Sequence, residues 1–88
     1  MNDLREVYRE NSRARLAAMR AAFDALPDDA ALQELRRHFH AFSGMGGTYG
    51  FPRVSELGDE GEVLLRSAHE ASLARCRELM DEIARELC

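Results

Sequence analysis

Apolar residues recur every three or four positions along most of the chain, and no segment alternates with period two. The first spacing lines one face of a helix; the second would line one face of a strand. From about Asp3 to Leu26 the stripe is Leu4, Tyr8, Leu16, Met19, Phe23 and Leu26, interrupted by Ser12. The N-terminal half of this helix is therefore expected to pack less firmly. Pro27-Asp28-Asp29 ends it, and an aspartate there suits the cap of the next helix. A second segment carries Leu32, Leu35, Phe39, Phe42 and Tyr49, with Gly46 at one stripe position, until Gly50-Phe51-Pro52 stops it. Pro52 suits the first turn of a third helix, whose stripe is Val54, Leu57, Gly61, Leu64 and Ala68. The fourth runs from about Glu70 to Leu87 through Leu73, Cys76, Met80, Ile83 and Leu87. Four amphipathic segments with short connections predict an all-α fold, an antiparallel up-down four-helix bundle.

Composition agrees. Residues 1–88 are read as one domain, a size that buries only about 60–65% of its surface on folding. Ala, Leu, Arg and Glu dominate, all helix formers, and only two prolines are present. There is no Lys, so twelve Arg carry all the fixed positive charge. A net charge of −4 with both signs interspersed argues against nucleic acid, which selects a basic face. The apolar runs are too short for a bilayer and no signal-peptide pattern opens the chain, so a cytoplasmic location away from membranes is expected. Cys76 and Cys88 lack CxxC or metal spacing and read as free thiols.

One run breaks the regularity: His40-Ala-Phe-Ser-Gly44-Met-Gly46-Gly47-Thr-Tyr-Gly50-Phe51. It places a histidine and four glycines in what otherwise reads as helix, where each glycine costs roughly 1 kcal/mol relative to alanine. Gly44, at i+4, lies one turn along the same face as His40, so it bares the imidazole to an approaching protein. His40 follows the core position Phe39 and flanks the stripe. Arg36, His40, Gly44 and Gly47 should therefore line the bundle's edge, open to water. An exposed neutral imidazole, titrating near 6.5 when unperturbed, is a nucleophile at neutral pH. The run reads as a site.

From Arg36 to Glu62 the chain resembles the histidine-containing phosphotransfer (HPt) family, and in particular the phosphotransfer domain of chemotaxis histidine kinases. The shared pattern is a histidine, glycine four residues on, a small-residue patch, glycine ten residues on, and a helix ending in glutamate. Here these are His40, Gly44, Met45-Gly46-Gly47, Gly50 and Glu62. The resemblance implies that His40 is the phosphoryl acceptor and that Glu62 orients its imidazole, although Glu62 also fits an ordinary solvated carboxylate in an acidic stretch. It implies a carrier that is not itself an enzyme, with no cofactor of its own; Mg²⁺ would belong to the partner. The implied partners are a response-regulator receiver domain, docking over Arg36, Arg37, Ser43, Gly44, Gly47 and Gly50, and a histidine kinase or hybrid kinase, with the phosphoryl group coming from a kinase or a receiver aspartate. A free-standing carrier and a domain of a larger kinase or hybrid regulator fit equally.

Relatives often carry lysine three residues after the histidine, where it balances phosphate charge; here Ser43 stands there. Arg36 and Arg37, one turn before His40, are candidates to compensate or are solvated surface residues, and Arg53 is a more distant candidate. His38 and His40 point about 200° apart on a helix and cannot readily share a metal, so no metal site is expected. No strand precedes the glycines and no Gly-Lys-Ser/Thr follows them, which argues against a nucleotide loop. A second functional class fits the same residues: an unphosphorylated helical adaptor or dimerisation module that binds a partner at the glycine-edged face.

Overall fold

Aspartates set the first two helix starts. Asp3 accepts the Arg5 N–H at 2.9 Å, and Asp28 accepts the Ala31 N–H at 3.0 Å, each satisfying a donor that the helix leaves unpaired. The third helix begins on Pro52, whose missing N–H needs no partner there. The structure, a computed structural model, describes residues 3–67 and 69–88. It contains α1 (Leu4–Asp24), α2 (Asp29–Met45), α3 (Pro52–Leu64) and α4 (Glu70–Glu86), with no strand among the described residues. Together they form a rod of 43 × 20 × 18 Å.

Cross-contacts give the directions. Tyr8 stacks on Tyr49 just beyond α2, while Arg15, farther along α1, meets the earlier His38, so α1 and α2 run antiparallel. Between α2 and α3, His40 meets Glu62 and Ser43 meets Asp59, again antiparallel. Arg20 pairs with Asp81 at 3.0 Å and Arg77 lies over Phe23, which opposes α1 and α4. Arg75 clamps α4 to α3 through Glu60, at 2.6 Å.

The core is the sum of the four stripes. Met19, Leu35, Phe39, Phe42, Val54, Leu57, Cys76, Met80, Ile83 and Leu87 are fully buried. Each large side chain so buried contributes about 1.5–3 kcal/mol. Leu79, off the predicted stripe, is buried as well, because α4 packs on both α1 and α3 and so hides a wider arc. Cys76 sits in this core and Cys88 is exposed; neither is paired.

Three sequence expectations need correction. The second helix does not reach Tyr49: it ends at Met45, and residues 46–50 form a turn. The Phe51 N–H folds back onto the Gly46 carbonyl at 2.8 Å, and Gly50 takes a φ of 90°, a left-handed conformation natural to glycine. Tyr49 is held instead by its ring, 4.8 Å from that of Tyr8. Of the four glycines in the run, only Gly44 lies within a helix. Leu4 is 69% exposed, so the first stripe packs from Tyr8 onward; Ser12, which interrupts it, is itself buried. The third helix ends at Leu64, short of Ala68, which lies outside the described residues.

Gly58 and Gly61 bring α2 and α3 unusually close. A Cβ on Gly58 would stand 2.5 Å from the Ser43 backbone nitrogen, and one on Gly61 would overlap the Phe39 ring. This close approach brings the α3 carboxylates within reach of the exposed face of α2.

Candidate functional site

His40 projects from the middle of α2 with 76% of its side chain exposed. Its Nδ1 lies 3.0 Å from Glu62 Oε1 and 3.1 Å from Oε2, and Glu62 is 28% exposed. A carboxylate only accepts, so Nδ1 carries the proton and donates it. In the neutral ring Nε2 then holds the lone pair and faces solvent. Two helices packed closely thus present one nucleophilic nitrogen in a chosen tautomer.

The surroundings differ on the two sides of the ring. Side chains on a helix lean toward its N-terminus. Accordingly, His40 shares a shallow open depression with Gln33, Arg36, Arg37 and Glu62. Neither arginine makes an ion pair or side-chain hydrogen bond among the described residues. One turn the other way, the Ser43 hydroxyl donates a short hydrogen bond to the Asp59 carboxylate, so the turn after the histidine carries an engaged hydroxyl beside a negative charge. Gly44 is exposed, and a Cβ there would meet nothing within 4 Å among the described residues.

The other residues singled out from the sequence separate into two groups. Gly47 belongs to the turn, where its N–H donates to Ser55 Oγ at 2.7 Å and ties the end of α2 to α3. Gly50 lies against the Arg5 side chain and serves the turn's geometry instead of approaching His40. Arg53 is paired with Glu56 of its own helix at 3.0 Å. His38 turns to the opposite neighbour: its Nδ1 lies 2.8 Å from the Arg15 guanidinium of α1.

A sequence model of the Hpt domain family matches residues 3–87, which is nearly the whole chain. The chain belongs to the Hpt family. No curated protein and no solved structure matches it. Membership carries the family's general role, histidine phosphotransfer in phosphorelay signalling, and the described residues of this Hpt domain include no helix long and apolar enough to cross a membrane.

Sequence reasoning misses some parts of this site. Asp59 stands out only as one member of an acidic stretch, and Gln33 and Ser55 not at all. Their positions depend on the register of α3 against α2, which no local pattern reports. Gly58 offers the one available signal: a second glycine in a short helix, three residues before Gly61, marks a close helix contact.

Proposed function

We propose that His40 is the phosphoryl acceptor of this Hpt domain, and that it relays the group between a kinase or receiver aspartate and a response-regulator receiver domain. The observation that carries this reading is the exposed imidazole with Nδ1 held by Glu62 at 3.0 Å. In the accepting direction, the Nε2 lone pair attacks phosphorus of the receiver's aspartyl phosphate. An N–P bond forms, the P–O bond to the aspartate breaks, and the bonding pair leaves with its carboxylate. The ring gains the positive charge that the departing carboxylate balances, and the Nδ1 proton stays on its bond to Glu62. Catalysis by the bundle is positioning and charge placement, with no covalent step beyond the one at Nε2.

The receiver docks over the Gly44 and Gly47 side, with the exposed face around Arg36, Arg37 and Ser43 as its frame. Mg²⁺ belongs to the receiver, and the Hpt domain serves as carrier, without an ATP site of its own. The test is a phosphotransfer profile against phosphorylated receiver domains. The expected product is acid-labile, base-stable phosphate on His40, absent from a His40→Gln variant. If the wild-type chain stays unlabelled while a proven Hpt control takes label from the same receivers, the carrier reading fails.

A further inference from the structure

We propose that Arg36 and Arg37 hold the phosphoryl group on His40, so that its countercharge comes from the turn before the histidine and not from the turn after it. The inference rests on His40 being the acceptor and goes on to say which side of the ring receives the phosphoryl oxygens.

Three observations converge. The imidazole, Arg36 and Arg37 line one depression, as the N-terminal lean of helical side chains requires. Both guanidiniums are exposed and free of ion pairs among the described residues, so both have donors to spare at the mouth of that depression. The opposite side, though open to a docking protein, offers a phosphoryl group no countercharge. There the Ser43 hydroxyl is committed to Asp59, whose charge repels a phosphoryl dianion. Glu62 also lines the depression, but both its oxygens are turned to Nδ1. Arginine suits this role because it stays charged and presents forked donors that match phosphate oxygens.

The test needs no partner protein. Phosphoramidate, a small phosphate donor, transfers its group when Nε2 bonds phosphorus and the protonated amine leaves as ammonia, so charge and atoms balance. Labelling of the full chain is located at His40 by mass spectrometry and timed, with helicity checked by circular dichroism. Arg36→Ala and Arg37→Ala should each slow labelling about threefold, and the double variant about tenfold, the scale of exposed charge pairs. Arg→Lys at both positions should keep most of the rate, because charge is retained. High salt should shrink the gap between wild type and the double variant by screening. Asp59→Asn should leave the rate unchanged or raise it by about twofold. A double alanine variant labelled at the wild-type rate, a gap indifferent to salt, or a slowing by Asp59→Asn would each overturn the inference. A wild-type chain whose His40 takes no phosphoryl group from phosphoramidate or from receivers would instead sink the acceptor reading itself.

Discussion

His38 and His40 stand two residues apart on one helix and hold opposite tautomers. His38 turns toward α1, with 18% of its side chain exposed, and its Nδ1 must accept from the Arg15 guanidinium at 2.8 Å. Its proton therefore sits on Nε2, which is buried without a hydrogen-bond partner among the described residues and 3.6 Å from Glu34. His40 turns toward α3, donates from Nδ1 to Glu62, and leaves Nε2 bare in solvent. Residue type is the same in both; the partner decides. An arginine partner makes a structural latch between α1 and α2, while a carboxylate partner leaves the outer nitrogen free to react.

The largest expected effect breaks this pairing at its reactive member. His40→Gln should lose all phosphotransfer while unfolding stability stays within about 0.5 kcal/mol of wild type, as befits an exposed position. His38→Gln should keep transfer. Loss of transfer in the second variant but not the first would reverse the assignment. Gly44→Leu comes next. Its side chain would enter open space, so helix propensity alone should raise stability by about 0.5–1 kcal/mol, yet its bulk beside the imidazole should abolish transfer from a receiver. Gly61→Ala should do the reverse to stability, lowering it by about 1–3 kcal/mol because the Phe39 ring must move. Thermal unfolding paired with transfer assays separates the two glycines: Gly44 serves access and Gly61 serves packing.

A smaller effect tests the orienting carboxylate. Glu62→Ala should slow transfer about tenfold, the low end for a hydrogen bond to a charged group, because solvent reaches the pair. Nitrogen-15 spectra of the imidazoles should show His40 losing its preference for Nδ1–H, with the His38 tautomer unchanged. An unaltered His40 tautomer would remove Glu62 from the role.

The same contrast marks what can be read before folding. The core stripes are legible because a helix that buries one face must repeat its apolar residues every three or four positions. The His40 run is legible because the glycines contradict that rule locally. The turn at residues 46–50 is not, since glycines inside a helix and glycines ending one look alike until Gly50 shows its φ of 90°. The His40–Glu62 pairing follows from family resemblance in register, 22 residues apart, and its geometry can be seen only in the fold. Nothing in the sequence points to the Arg15–His38 latch or the Ser43–Asp59 bond. Each depends on how two helices sit in register, and polar residues on helix flanks carry no period that reveals it.

The least of the expected effects comes from the latch. Burial first, and the Arg15 charge second, hold His38 below the ordinary imidazole pKa, against a weaker opposing pull from Glu34. An unfolded histidine titrates near 6.5, so just below that pH the unfolded chain takes up a proton that the folded latch resists. Stability is therefore fully present above about pH 6.5 and falls as pH drops through the lowered folded value. Urea unfolding between pH 7.5 and 5.5, above the range where ordinary carboxylates titrate, should show this decline. His38→Gln, which has no proton to gain, should flatten it, and Arg15→Gln should weaken it, because the repelling charge is gone while burial remains. If the His38→Gln chain keeps the full slope, the proton is being taken up elsewhere and His38 is no latch. If the slope vanishes and transfer at His40 persists, two histidines on one helix have been separated by the partners that α1 and α3 bring to them.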